Sequence, residues 1–387
     1  MKTRMWAGAA IAAAIGLAQP AAAQNAPDFH IGMVSSLTGP FNGPAKDTME
    51  GFDAWMKTRG LPGKKIVLDA LDDETNPVSA SNAFRKLAGD PKTNIIFLNI
   101  NSSSALAAKA FASEFKVPIV TGGGADALGF PPDPWMFKVA PSGHDAMTIV
   151  LEYMQKKGMK KIAHLYGTDA YGQYDDKAIK ELAPKFGGTL AAAESFAIDD
   201  TNFNAQLARI RAANPDLIYS STAGRAAILV FKQFKQFGIT APLVVSQAAP
   251  TAPFYEAIGG PKVADGLLVP TQRGIFGAKA GGDTARLYAD VQKALNRNPT
   301  FFMIFGFDAG LIIEAAVKNS DGSRQGIRDA LEKLKDLPAV NGPVTYSTTP
   351  GRIIARSPWA GWRTGSRCRR SEIKLSLVLR RPRAAAP

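Results

Sequence analysis

The sequence predicts an α/β protein of two lobes with mostly parallel strands, and three observations carry that prediction. Short apolar runs alternate with amphipathic helical stretches along the chain, which is the pattern of a layered α/β fold. The alternation comes as two series, one ending near Val120 and one opening at Ile162. Both repeat a single theme of apolar strand, small polar loop, helix. Ile100-Asn101-Ser102-Ser103-Ser104 in the first is echoed by Ile218-Tyr219-Ser220-Ser221-Thr222-Ala223-Gly224 in the second.

His30–Ser35 reads as the first strand and ends in Ser36-Leu37-Thr38-Gly39-Pro40. Met49, Phe52 and Met56 share one helical face over Thr48–Arg59. Ile66–Ala70 is a second strand and leads into Asp72-Asp73-Glu74-Thr75-Asn76-Pro77. Asn76 before Pro77 fits an N-cap with proline at the first helical position, opening a helix through Leu87. The three acids before it read as a solvated loop, because carboxylates favour a helix start. Strands Ile95–Ile100 and Val117–Val120 follow, separated by an alanine-rich helix over Ala105–Phe115.

The second series predicts strands at Ile162–Tyr166, Thr189–Phe196, Leu217–Ser220 and Leu243–Val245. Helices are expected over Ala178–Phe186, Phe203–Ala213 and Ala226–Phe237, the last with the core stripe Val230, Phe231, Phe234 and Phe237. Beyond Pro270, helices over Asp283–Leu295, Phe305–Val317 and Gly326–Leu334 need a sheet to pack on and are placed back on the first lobe. Val344–Tyr346 is the last strand candidate.

Composition bounds the function classes. Lys2 and Arg4, an apolar run from Met5 to Ala18 and Ala21-Ala22-Ala23 form a secretory leader over residues 1–23, cleaved after Ala23. That apolar run is too short to span a bilayer. A periplasmic destination follows, where disulfides are permitted but not required; Cys368, the only cysteine, precludes an internal one. Of the net charge of +13, +9 lies in 351–387 and +2 in the leader, leaving +2 for 24–350. The body is therefore near neutral, and no nucleic-acid partner is expected. The tail from 351 carries nine arginines and no clear period, and reads as a shifted reading frame in a GC-rich gene rather than a basic arm.

The candidate site lies where strands end. In an open parallel sheet, small ligands bind at the carboxyl ends of strands, beside the starts of the following helices. Ser102, Ser103 and Ser104 stand at one such end and Gly122, Gly123 and Gly124 at the next, forming a pocket for a small anion. A helix N-terminus from each lobe suits a carboxylate. No enzyme is expected: His30, His144 and His164 show no metal-ligand spacing, so neither a metal nor a cofactor is called for. There is no Gly-x-Ser-x-Gly elbow, no Gly-x-Gly-x-x-Gly fingerprint and no phosphate loop.

Over Asp28–Gly351 the chain resembles the leucine/isoleucine/valine-binding group of periplasmic binding proteins, the receptors of branched-chain-amino-acid-type ABC transporters. The motifs are Ile31-Gly32 through Ser36-Leu37-Thr38-Gly39-Pro40, then Asp72-Asp73-Glu74 with Asn76-Pro77, then Ser102-Ser103-Ser104. Pro118-Ile119-Val120 with the glycine triplet, Asp169-Ala170-Tyr171-Gly172 and Gly266-Leu267-Leu268-Val269 complete the ordered set. The resemblance implies two Rossmann-like lobes, the type I periplasmic binding protein fold, joined by three hinge crossovers near Lys138–Ser142, Val269–Arg273 and Gly342–Thr345. The N-terminal lobe would comprise 24–141 and 271–341, and the C-terminal lobe 142–270 and 342–350. The lobes would close over the ligand, and a monomer in the closed form would dock on a membrane permease.

By position, the resemblance puts the carboxylate-binding hydroxyl on Ser102, beside Ser103, and backbone contacts on Gly123, Gly124 and Ala125. Asp169 and Tyr171 lie where the second lobe meets the ligand, with Thr222, Ala223 and Gln247 on the same side, and Phe307 covers the pocket. Two departures bear on the ligand. Amino-acid binders of this group carry an acid after the Leu243–Val245 strand for the α-ammonium, and here that segment is Ser246-Gln247-Ala248-Ala249-Pro250. Ala223 replaces the family's tyrosine and enlarges the site. The expected ligand is thus an aromatic or aliphatic carboxylate without an α-ammonium; the alternatives are a leucine/isoleucine/valine receptor or an amide-sensing subunit of the same fold.

Overall fold

The computed structural model describes residues 27–129, 131–140, 143–260, 262–264, 266–270, 282–346 and 376–377. The expected leader 1–23, crossover residues 141–142 and 271–273, and all of the 351–387 tail except Ser376 and Leu377 lie outside these residues.

The first sheet is built from β1 (Asp28–Ser35), β2 (Lys65–Asp72), β3 (Thr93–Asn99), β4 (Ile119–Thr121) and β5 (Met136–Lys138). All pairs are parallel, in the order β2-β1-β3-β4-β5. Its helices are α1 (Asn42–Thr58), α2 (Pro77–Gly89), α3 (Ser102–Lys109) and α4 (Ala112–Phe115). Asn76 caps α2 as expected, its side chain accepting from the Val78 and Ser79 N–H groups at 2.8 and 3.2 Å with Pro77 at the first position. The alanine-rich helix is in fact two pieces. Asn101 caps α3 by accepting from the Ser104 N–H at 2.9 Å, so the three serines form its first turn.

The second sheet holds β6 (Lys161–Gly167), β7 (Thr189–Phe196), β8 (Leu217–Ser221), β9 (Leu243–Val245) and β10 (Leu268–Val269). Around it run α5 (Gly143–Lys157), α6 (Ala170–Leu182), α7 (Asn204–Ala212), α8 (Gly224–Gln236) and α9 (Ala252–Ile258). The chain ends with α10 (Gly282–Leu295), α11 (Phe301–Lys318), α12 (Arg324–Glu332) and β11 (Ser376–Leu377), giving the order β11-β10-β9-β8-β6-β7. Only β11 pairs antiparallel. The molecule is a pair of α/β lobes, each a mostly parallel sheet flanked by helices.

Registers place the strand ends together. Ser35 pairs with Asn99, and Leu98 with Thr121, so β1, β3 and β4 finish side by side. In the second lobe Gly167 pairs with Phe196, Tyr166 with Ser221, and Ser220 with Val245. Each lobe therefore presents one row of loops and helix starts.

α11 returns to the first lobe and packs on α1 at near-backbone distance. A Cβ at Gly306 would overlap the Thr48 carbonyl, and one at Gly51 the Met303 carbonyl. The seam is tied by Arg59, which donates to both oxygens of Glu314 at 2.9 and 3.1 Å, and by Trp55 Nε1 at 3.2 Å. Phe52, Phe97 and Phe305 fill the core beneath.

Three expectations are corrected. The helix expected at Ala178 begins at Ala170, because Asp169 caps it and its first turns bury polar side chains that disguise the period. Asp73, read as solvated, is fully buried with its Oδ1 accepting from the Thr75 N–H at 3.0 Å, and burial pushes its pKa up. Residues 342–346, expected in the C-terminal lobe, pack on the first: Val344 bridges to Leu337, and Tyr346 meets Phe137 edge-on at 5.1 Å.

Candidate functional site

The two rows of strand ends face one another across a cleft of about 720 Å³ of atom-free space, part of it open to solvent. The first lobe contributes Phe41 from the loop after β1, Asn101 and Ser102 from the start of α3, and Gly122–Gly124 after β4. The second contributes Asp169 and Tyr171 after β6, Phe196 and Ile198 after β7, Thr222 and Ala223 after β8, and Gln247 after β9. Phe301 and Phe302, at the start of α11, close the wall, with Phe302 edge-on to Phe41 at 5.8 Å.

The lobes are in contact around this cleft. The Ala170 N–H donates to Ser103 Oγ at 3.0 Å, the Arg225 N–H to the Pro40 carbonyl at 3.2 Å, and the Ala252 N–H to Asp47 Oδ2 at 3.1 Å. The Tyr171 ring lies directly on Gly124, where a Cβ would come within 2.9 Å of two ring carbons. Gly124 is thus bare because a residue of the opposite lobe covers it.

Of the expected site residues, Ser102, Gly123, Gly124, Asp169, Tyr171, Thr222, Ala223 and Gln247 line the cleft. Ser103 and Ala125 do not. Ser103 instead bonds the facing lobe, and the Ala125 N–H donates to Ser102 Oγ at 3.1 Å, fixing the serine to the glycine loop. Phe307 is a correction: it is fully buried in the first-lobe core, and the phenylalanines on the cleft are Phe41, Phe196, Phe301 and Phe302. Helix α11 is buried around most of its circumference, Asp308 and Glu314 included, so its sequence does not reveal which phenylalanine faces the cleft.

The starts of α3, α6 and α8 all border the cleft, and each brings partly unsatisfied N–H groups and the positive end of a helix dipole. Asn101 and Asp169 cap the first two, whereas Ala223 has no side chain able to cap α8. Among the described residues lining the cleft, Asp169 is the one acid, and no lysine, arginine or histidine appears. The Asp169 carboxylate accepts from the Gly172 N–H at 3.2 Å; burial pushes its pKa up while the N–H groups of its own helix pull it down.

Behind Ser221 lies a polar network that the sequence did not reveal. Ser221 Oγ and Tyr219 OH donate to Asp175 Oδ2 at 2.7 and 3.1 Å, and burial pushes the Asp175 carboxyl up to about 7. His164 Nε2 lies 2.8 Å from Ser221 Oγ, with His164 Nδ1 3.3 Å from Asp176 Oδ1. The order resembles a hydrolytic triad, but His164 is fully buried and stacked between Tyr166 and Tyr219, with centroids at 4.6 and 5.6 Å. The Ser221 proton is already engaged by Asp175. The network props the second-lobe wall.

The family model for periplasmic binding proteins matches residues 28–366. The chain belongs to this family. It is similar to the Leu/Ile/Val-binding protein homolog 3 of Brucella melitensis, at 25% identity over 360 residues covering 90% of this chain and 94% of that one. An extracellular ligand-binding receptor from Rhodopseudomonas palustris shares 27% identity and superimposes with a TM-score of 0.76, covering 85% of this chain and 94% of that chain. A solute-binding protein of an ABC transporter from R. palustris, solved in complex with benzoate, shares the fold at 20% identity and a TM-score of 0.74, covering 85% and 96%. This chain is a type I periplasmic binding protein of the leucine/isoleucine/valine-binding group, of the substrate-binding type that serves ABC transporters. Such proteins are extracytoplasmic, and among the described residues no helix is long and apolar enough to cross a membrane.

Proposed function

We propose that this protein is the periplasmic receptor of a branched-chain-amino-acid-type ABC transporter. Its lobes close over a small carboxylate that lacks an α-ammonium, an aromatic or aliphatic acid. The carboxylate is held by the Ser102 hydroxyl and the backbone of Gly123 and Gly124, opposite the uncapped start of α8. Thr222, Ala223 and Gln247 face its remainder, and Phe41, Phe196 and Phe302 offer apolar walls. It acts as a monomer, without cofactor or turnover, and the closed form docks on the membrane permease.

The observation that carries this reading is the charge of the wall. Gln247 is neutral where an ammonium would need an acid, and Asp169, the one acid there, is engaged in capping its own helix. A buried ammonium without a partner costs several kcal/mol. The benzoate complex of the R. palustris relative supports an aromatic acid as a candidate.

The test is a thermal-shift panel followed by calorimetry, with benzoate, 4-hydroxycinnamate, medium-chain fatty acids, leucine, glutamate and urea. A ligand at about 100 times its dissociation constant stabilises the protein by roughly 2.7 kcal/mol. Shifts with the aromatic or fatty acids and none with leucine are expected. A leucine dissociation constant at or below about 1 μM, roughly −8 kcal/mol, refutes the reading. It would favour the second one, a branched-chain amino acid receptor in which Asp169 meets the ammonium.

A further inference from the structure

Gln247 lies on the cleft wall and is 6% exposed. Its Oε1 is wholly buried without a hydrogen-bond partner, and no hydrogen bond to its amide occurs among the described residues. Its neighbours are otherwise engaged. Ser246 Oγ donates to the Thr222 carbonyl at 2.8 Å, and the Ala249 N–H donates to the Ser246 carbonyl at 3.0 Å, so the loop that carries Gln247 is pinned on both sides. The backbone of this loop is thus fixed, and the Gln247 side chain borders the cleft with its Oε1 unpaired. Buried amides of this kind are nearly always paired, because an unmet donor or acceptor retains the cost of leaving water.

The chemistry of an amide narrows what can pair with it. One end accepts and the other donates, and a half-turn of the side chain exchanges them. An ammonium donates only and brings a charge that a neutral amide does not balance. An unsubstituted ring edge or methyl group does neither. A hydroxyl both donates and accepts through one atom, so it satisfies the amide in either orientation.

Resting on the carboxylate reading above, we infer that Gln247 is a specificity residue for a hydroxyl on the ligand, and that the receptor selects hydroxylated acids over their unsubstituted parents. The carboxylate end supplies the common grip and Gln247 the discrimination. Polar sites of this type reject an analogue lacking the hydroxyl because their own groups are then left unpaired.

The test is calorimetry on the mature protein with two ladders of ligands. One compares benzoate with 2-, 3- and 4-hydroxybenzoate and 4-carbamoylbenzoate; the other compares 4-methylpentanoate with its 2-hydroxy derivative. Wild type is expected to bind at least one hydroxy acid about tenfold or more tightly than its parent. In Gln247→Met, of similar size but apolar, that ratio should fall to within about twofold. Gln247→Glu, which keeps the shape and adds charge, should lose the hydroxy-acid preference and gain affinity for leucine. Equal affinities along both ladders in wild type, or a ratio unchanged in either variant, overturns the inference while leaving the carboxylate reading in place. A preference for 4-carbamoylbenzoate that Gln247→Met abolishes would assign the residue to an amide instead. If leucine alone binds, the carboxylate reading itself falls, and the inference with it.

Discussion

His144 Nδ1 lies 2.6 Å from Asp126 Oδ2, joining the start of α5 in the second lobe to the turn after the glycine loop of the first. Glu181 stands 3.3 Å from the other ring nitrogen. The Asp126 bond, aided by Glu181 and opposed by burial, raises the His144 pKa from 6.5 to about 9. A raised histidine stabilises fully below its unfolded value and loses that contribution as pH rises through its folded one. Because this pair joins the two lobes, ligand affinity should weaken between about pH 6.5 and 9. His144→Gln should bind a few-fold more weakly at pH 7.5 and lose most of that dependence; calorimetry at both pH values checks it.

Ser102 is expected to be the hydroxyl that meets the ligand carboxylate. Ser102→Ala should weaken binding by about 1–3 kcal/mol, the value of a charge-assisted hydrogen bond. Part of the loss would come from the Ala125 N–H, which donates to Ser102 Oγ. A full-affinity Ser102→Ala variant would show that the carboxylate sits elsewhere.

Gly224 opens α8 with φ +60°, and a Cβ there would overlap the Pro40 carbonyl of the opposite lobe. Alanine at this position costs about 1 kcal/mol for its left-handed backbone. The larger effect should be on closure: Gly224→Ala should fold, melt slightly lower, and lose most ligand-induced compaction in small-angle scattering. Compaction equal to wild type would mean that the loop at Pro40 yields.

Asp308 on α11 is fully buried and accepts from the Val340 and Asn341 N–H groups at 2.7 and 3.0 Å, anchoring the segment that leads to Val344. Burial raises its pKa from 3.8 to about 7 against the pull of those donors. Its stabilising contribution is full below about pH 3.8 and is lost as pH rises through about 7. Asp308→Asn should flatten the fall of melting temperature between pH 4 and 7.5 relative to wild type. An unchanged slope would show that Asp308 titrates near its ordinary value.

Much of the fold was legible locally. Asn76 before Pro77 marks a helix start because its side chain needs only the next two N–H groups. The central strands β3, β4, β8 and β9 read as short, largely apolar runs because they are buried on both faces. Where polar residues turn inward, the local signal inverted: Tyr171, Asp175 and Asp176 disguised the first turns of α6, and Asp73 passed for a solvent-facing acid.

The sequence by itself determined that the protein has two series of strands alternating with helices, that several of those strands end in small polar residues, and that a neutral glutamine follows the Leu243–Val245 run. These are properties of single positions and short spacings, carried by the chain whatever its folding. Tertiary structure alone decided which groups share a wall. Phe302 rather than Phe307 reaches the cleft because a helix buried on nearly every side shows no preferred face until α1 packs on it. Gly124 meets Tyr171, and Gly224 meets Pro40, only because the two lobes come together. Such contacts join residues far apart in the chain, and local propensity carries no trace of them.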